Sequence, residues 1–367
     1  MTNPSPFWSS LQIGSTQLSN RVALAPMTRV SATEDGLVTD KMVSYYEAFA
    51  RGGFALLITE GIYPDTSYSQ GYLHQPGLAN DEQARSWARV VDAVHASGSA
   101  IFAQLMHAGS QAQGSRFADA TVGPSEVAPK GEQLAFYRGE GPYRVPAEIT
   151  REQMQEVREG FVDAALRAKE AGFDGVEIHG ANGYLLDQFL TDYLNLRTDE
   201  YGGSAQNRVR FPAEIARAVR EAVGPEMTVG IRISQAKVSD HDHRWAGGID
   251  EAEVIFSTLG DTGVDFIHTT EYKAYAPAFG DGSPSLAALA KRYSGLPVIA
   301  NGNLDDPETA EALLADGTAD VIALGKAALG NRDWPERVRH GRPLDELDAS
   351  LFAPLADVKD WELELLS

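Results

Sequence analysis

The sequence predicts a single (β/α)8 TIM barrel, and three observations carry that prediction. Short β-branched runs recur eight times in 367 residues with helical periodicity between them, the pattern of repeated β-α units on a parallel sheet. Unusual polar residues fall at the C-terminal ends of those runs, where barrel enzymes place their reacting groups. No linker, low-complexity tract or short-period repeat divides the chain. A barrel over about residues 21–342 and a tail over 343–367 therefore read as one domain, and eight units over this length suit a barrel better than a doubly wound sheet.

Taken from the N-terminus, Leu11 to Thr16, with its turn signal at Gly14-Ser15, suggests a hairpin closing the bottom of the barrel. The strands are expected at Val22 to Met27, Ala55 to Gly61, Ala100 to His107, Gly175 to Gly180, Thr228 to Ser234, Phe266 to Thr270, Pro297 to Asn303 and Val321 to Lys326. Helices are expected at Trp87 to Ser97, Arg151 to Ala171, Asn207 to Val223, Asp250 to Thr262, Pro284 to Tyr293 and Pro307 to Ala315. Several open on an acidic or capping residue and end close to a glycine, as helices prefer. After the third strand, Gln111 to Pro146 is rich in Gly and Pro and lacks helical periodicity. A loop of that length reads as an active-site excursion or lid.

A net charge of −21 repels polyanions and argues against nucleic acid or an anionic membrane as partner. The absence of cysteine excludes disulfides, thiol catalysis, Cys-ligated zinc and Cys-held iron–sulfur clusters. The N-terminal residues lack the pattern of an export signal and no apolar run reaches membrane-spanning length, so a soluble cytoplasmic protein is expected.

Thr28 follows the first strand, Gly61 ends the second, Gln104 and His107 lie late in the third and His179 ends the fourth. Arg232 sits in the fifth, Asn301-Gly302-Asn303 ends the seventh and Gly325-Lys326 the eighth. Glycines after the last two strands let backbone approach a phosphate closely, with Lys326 as a point charge. The same residues also suit left-handed turns beside a solvated lysine. Thr28, Gln104 and Arg232 are the residue types that a flavin ring needs around O2, O4, N5 and N1. An arginine in an apolar strand is costly unless it is paired or bound to an anion, so Arg232 faces an anionic ligand or a buried salt bridge.

Asn20-Arg21-Val22-Ala23-Leu24-Ala25-Pro26-Met27-Thr28-Arg29 resembles the first-strand motif of the Old Yellow Enzyme family. His179-Gly180-Ala181-Asn182-Gly183-Tyr184-Leu185-Leu186-Asp187-Gln188-Phe189-Leu190 resembles its fourth-strand signature, and the similarity continues through Asn195 to Ser204 and Asn207-Arg208. It covers about Phe7 to Arg342. The resemblance implies noncovalent FMN, with Ala25, Pro26, Met27 and Thr28 lining the flavin, Gly61 and Gln104 on the ring, and Arg232 facing N1 and O2. It further implies that the Asn301 to Asn303 turn, through Gly302 and Asn303, and Gly325 and Lys326 hold the ribityl phosphate.

His179 and Asn182 are three apart just after a strand, so both can donate to one ligand oxygen and stabilise the charge that develops as hydride adds to the β-carbon of an unsaturated carbonyl. Tyr184 can protonate the α-carbon from the other side. The reductant is NADH or NADPH. No Gly-x-Gly-x-x-Gly follows a strand, and the resemblance implies that the nicotinamide shares the substrate pocket in ping-pong kinetics. Tyr68, Met106, Tyr272 and Tyr275 are candidate pocket walls. Lys326 stands where the family usually has Arg, which implies weaker FMN binding. Arg332 stands where it usually has Pro, and reads as a surface charge or as a phosphate or partner-subunit contact. Asp240, His241, Asp242 and His243 form a charged turn with no evident third strand-end ligand, so no metal site is expected. A Schiff-base aldolase using Lys273, or a flavin-binding protein without catalysis, is the rival reading; a homo-oligomer is possible.

Overall fold

The computed structural model describes residues 5–364. The hairpin strands β1 (Leu11–Ile13) and β2 (Thr16–Leu18) come first, and β3 (Val22–Leu24) enters the barrel. There follow α1 (Asp40–Arg51), β4 (Leu56–Ile58), α2 (Asp81–Ala96), β5 (Ala100–Leu105), the short strands β6 (Val122–Gly123) and β7 (Ala147–Glu148), α3 (Arg151–Glu170) and β8 (Gly175–Asn182). The second half runs α4 (Leu185–Leu190), α5 (Ala205–Arg208), α6 (Arg210–Val223), β9 (Thr228–Lys237), α7 (Gly248–Gly260), β10 (Phe266–Thr270) and α8 (Leu286–Ser294). It closes with β11 (Val298–Asn301), α9 (Pro307–Ala315), β12 (Val321–Leu324), α10 (Lys326–Gly330), α11 (Trp334–Arg339) and α12 (Asp360–Glu364). Eight strands close in the order β10-β11-β12-β3-β4-β5-β8-β9, all paired in parallel.

The barrel is a packed core. Ile58, Phe102, Phe266, Ile299 and Val321 fill its interior, and Phe102 stacks on Phe266 at 5.6 Å. The hairpin plugs the bottom: Ile13 and Leu18 join the same cluster, while Thr228 Oγ1 bonds Thr16 Oγ1 (2.7 Å) and donates to the Ile13 carbonyl (3.1 Å). Several helices begin where a side chain satisfies free N–H groups. Asn80 caps α2, Thr150 and Gln153 form a capping box on α3, Ser285 caps α8, and Asp306 caps α9 ahead of Pro307.

Several strands are shorter than the β-branched runs suggested, because their last residues leave the sheet to line the barrel mouth. The expected Asn207–Val223 helix is interrupted at Val209: Pro212 has no N–H to offer the Arg208 carbonyl. Helix α1 was not expected, although Met42, Tyr45, Tyr46 and Phe49 carry helical spacing and are buried. Among the described residues, no helix is long and apolar enough to cross a membrane.

The excursion after β5 lies over the mouth. A short 3-10 turn, Ala135–Tyr137, presents the Tyr137 hydroxyl, which donates to the Thr28 carbonyl (3.0 Å). The C-terminal segment then straps it down. Ala356 N–H donates to the Phe136 carbonyl (2.9 Å), and Glu362 bonds both Arg29 (2.6 Å) and Arg332 (2.9 Å).

Candidate functional site

The C-terminal mouth holds a cavity of about 860 Å³, a size usual for a cofactor with its substrate. Ala25, Pro26, Met27, Thr28, Gly61, Gln104, Arg232, Asn301, Gly302, Asn303, Gly325 and Lys326 all line it, together with His179, Asn182, Tyr184, Met106 and Tyr272. Two expected wall residues lie elsewhere. Tyr68 sits in a small separate crevice beside Asp65 and His107, carried there by a turn in which Ser69 donates to the Asp65 carbonyl (2.5 Å). Tyr275 stands outside the lining, 42% exposed, where Asn303 Nδ2 donates to its hydroxyl (3.2 Å).

The end of β8 is built to aim three donors. Asn182 is left-handed (φ 61°), a conformation asparagine tolerates, and Gly183 follows at φ 90°, where a Cβ would lie 2.4 Å from Gln111 Oε1. Asp187, in the first turn of α4, anchors this corner. It accepts from Gly183 N–H (2.7 Å) and from the buried Lys237 ammonium (2.6 Å). His179 Nδ1 accepts from Ala181 N–H (3.2 Å), so the neutral ring carries its proton on Nε2. Burial, reinforced by the Arg232 charge, holds the imidazole well below its usual value and keeps it neutral. Arg232 Nη1 donates to Asn182 Oδ1 (3.4 Å), which leaves the amide nitrogen as the free donor. Burial pushes the Tyr184 phenol up, so it too holds its proton.

Below these groups lies a polar floor. Gln104 Nε2 donates to Glu177 (2.8 Å), whose second oxygen bonds His268 Nδ1 (2.7 Å), with Glu177 and His268 at 0% exposure. One Gln104 amide N–H goes to Glu177, and its other N–H and its carbonyl oxygen are left to bond a ligand. Arg232 is not in the buried salt bridge that its position also allowed. Its hydrogen bonds go to amide oxygens, the second to Asn301 at 2.8 Å, and its Nε is buried without a partner. Burial pulls the guanidinium down to about 10. A buried cation with an unused donor suits an electron-rich ring edge that gains negative charge, as a flavin does on reduction.

Asn301 is occupied in holding this floor, accepting from Arg232 and Thr270 and donating to the Ala323 carbonyl (2.8 Å). Gly302 (φ 138°) admits no side chain, since a Cβ there would sit 1.9 Å from the Glu271 carbonyl. Lys326, exposed at the start of α10, is the cation at this end of the cavity. Arg332 is not a surface charge and does not line the cavity. It is largely buried, lies over the Tyr45 and Phe49 rings and is bound by Glu362; removing its planar charge from water requires that partner.

Sequence reasoning missed the walls supplied by Tyr72, Leu134, Phe136, Tyr137 and Phe352. Their loops carry no periodicity, and only the excursion's length hinted at a lid. Lys273 is exposed and lies outside the cavity lining, so the aldolase reading lacks the desolvated lysine that it requires. The charged turn binds the excursion instead: Lys130 pairs with Asp240 (2.8 Å), and His243 Nδ1 bonds the Gln235 carbonyl (2.9 Å). Among the described residues, no group of three or more His, Cys, Asp or Glu is arranged to hold a metal ion.

The profile of the NADH:flavin oxidoreductase / NADH oxidase family matches residues 6–345. An NADH oxidase of Thermoanaerobacter brockii is 34% identical over 93% of this chain, which spans only 52% of that protein; the chain is about half the length of the first relatives it matches. A probable flavin mononucleotide-dependent alkene reductase of Leishmania infantum is 36% identical, with 93% of this chain and 92% of that protein covered. Among solved structures, the old yellow enzyme homologue of Zymomonas mobilis superposes with a TM-score of 0.85 at 30% identity, covering 98% of each chain.

Proposed function

Because the chain belongs to the NADH:flavin oxidoreductase / NADH oxidase family, we propose that it is an FMN-dependent ene-reductase that takes electrons from NADH or NADPH and reduces the C=C bond of an α,β-unsaturated carbonyl or similar electron-poor alkene. Noncovalently bound FMN supplies the hydride. The residues of this chain supply binding, orientation and the proton.

The observation that carries this reading is the convergence of three protonated donors on one side of a cavity whose floor holds an unpaired arginine. His179 Nε2–H and the Asn182 amide converge on a carbonyl oxygen, where two fixed donors stabilise enolate charge more than carbonyl charge. The Tyr184 hydroxyl, kept protonated by burial, delivers its proton to the α-carbon. Thr28, Gln104 and Arg232 hold the flavin ring, the Gly302-Asn303 and Gly325-Lys326 turns hold its phosphate, and Met106 and Tyr272 bound the substrate. Tyr137 and Phe136, tied down by the C-terminal strap, exclude water.

The test is spectroscopic. The purified protein is expected to show oxidised-flavin bands that bleach anaerobically with NADH or NADPH and return with 2-cyclohexenone. Tyr184→Phe is expected to slow the return more than the bleaching. A protein that neither contains nor takes up FMN overturns the proposal.

A further inference from the structure

Tyr184 does not stand alone. The hydroxyl of Tyr72 lies 2.7 Å from its hydroxyl, both side chains are buried, and both line the cavity. Tyr72 comes from the loop after β4, 112 residues away, and its ring is wedged against Tyr137 of the lid at 4.7 Å. Two phenols at this distance share one proton: one donates and the other accepts. The remaining hydroxyl proton of the accepting partner is then directed elsewhere. His179 packs edge-on to the Tyr184 ring at 4.9 Å and, as a neutral Nε2–H donor aimed into the cavity, leaves the hydroxyl to Tyr72.

A buried phenol that gives up its proton must leave a phenolate, and an isolated anion there is expensive. Burial pushes both phenols up, Tyr72 further still because of its tyrosine neighbours, whereas the hydrogen bond from Tyr72 favours the ionised form of Tyr184. The geometry that makes Tyr184 a well-protected proton store thus makes it a poor donor unless something receives the charge. Tyr72 is the O–H within hydrogen-bond reach that does so, and the Arg232 charge and the Gln111 side chain favour the ionised form in the same direction.

We propose that Tyr72 is a positioning residue for proton delivery: its hydroxyl donates to Tyr184 Oη, turns the Tyr184 proton toward the substrate carbon, and shares the charge as that proton leaves. The step balances. As the Tyr184 O–H bond breaks and the substrate Cα–H bond forms, the enolate charge is neutralised and a phenolate appears at Tyr184. The Tyr72 O–H bond to that oxygen shortens and stabilises it, and a proton from water entering the cavity after product leaves restores the pair. This rests on reading Tyr184 as the proton donor.

The experiment compares FMN-loaded wild type, Tyr72→Phe and Tyr184→Phe in stopped flow, with NADH for the first half-reaction and 2-cyclohexenone for the second, across pH. Tyr72→Phe retains the ring against Tyr137, so FMN loading, read from absorbance, checks that the cavity is intact. The expected result is a loss of about tenfold or more in the enone half-reaction relative to the NADH half-reaction, with the alkaline limb of the enone profile displaced to higher pH because Tyr184 has lost a donor. A proton inventory in H2O/D2O mixtures is expected to change from curved to linear. An enone rate and pH profile like those of wild type overturn the proposal, as does an equal fall in both half-reactions with unmoved pH limbs, which would mark a packing role. If Tyr184→Phe itself leaves the enone half-reaction unchanged, the underlying reading fails, and that outcome is distinct from failure of Tyr72 alone.

Discussion

Arg232 Nη2 lies 2.8 Å from Asn301 Oδ1, bridging β9 to β11 across β10, while its Nε is buried and unpartnered. The arginine is thus held by neutral amide oxygens and makes no salt bridge, with the Glu177 carboxylate nearby but not hydrogen-bonded to it. FMN binding to Arg232→Ala is expected to weaken by about 10- to 100-fold, the worth of a hydrogen bond to a charged group. Titration of apoprotein by flavin fluorescence measures this, and an unchanged Kd would remove Arg232 from the flavin site.

Lys326 stands exposed at the cavity's end and meets a phosphate as a single point charge. Lys326→Arg, which adds a bidentate fork, is expected to tighten FMN severalfold. The gain should shrink with added salt, since the site is exposed. No change between the two proteins at low salt would place the phosphate elsewhere.

The Asp187 and Lys237 pair, at 0% exposure, anchors the corner that carries Asn182 and Tyr184. Asp187→Asn leaves a buried ammonium without its counter-charge, and a loss of about 3–5 kcal/mol in unfolding free energy is expected. Urea denaturation reads it. The double variant Asp187→Leu with Lys237→Met is expected to recover most of that loss, because no charge is then stranded.

Glu362 joins Arg29 and Arg332, both removed from water. Glu362→Ala is expected to cost roughly 3 kcal/mol or more and to loosen the strap that holds Phe136 through Ala356. Limited trypsin digestion should then cut faster at Arg138 and Arg144 of the excursion. Cleavage at the wild-type rate would show that the lid is held independently of the strap.

Glu60 accepts from the Arg29 and Val30 N–H groups with one oxygen (2.9 and 3.1 Å), while its other is buried without a partner. Burial pushes its carboxyl up to about 7 from the ordinary 4.5. The unfolded chain therefore ionises first. The stability owed to the neutral carboxyl is complete below about pH 4.5 and is lost as pH rises through about 7. Glu60→Gln stays neutral, so its Tm is expected to exceed that of wild type at pH 8 and to converge with it near pH 5. A gap independent of pH would assign the effect to packing.

Eight β-α units could be read from local pattern because period-2 and period-3.6 runs such as Phe266 to Thr270 and Arg151 to Glu170 need only neighbouring residues to express them. The His179, Asn182 and Tyr184 set was legible for the same reason: three functional groups lie within six consecutive residues at the end of one strand. Ends of elements were less legible. At the barrel mouth the expected ends miss in both directions: β3 stops at Leu24, short of Met27, whereas β8 and β9 run past Gly180 and Ser234 to Asn182 and Lys237.

What the sequence by itself determined was the repeating unit, the face on which polar residues gather and the motif that names the chemistry. Tertiary structure alone decided the pairing of Tyr72 with Tyr184, the clamp of Glu362 on Arg29 across 333 positions, the turning of Tyr68 into another crevice and the burial of Arg332. Such contacts are set by how loops without periodicity close over a finished barrel. Their partners are chosen by packing and by the cost of leaving a buried charge or hydroxyl unpaired, neither of which a stretch of chain can evaluate on its own.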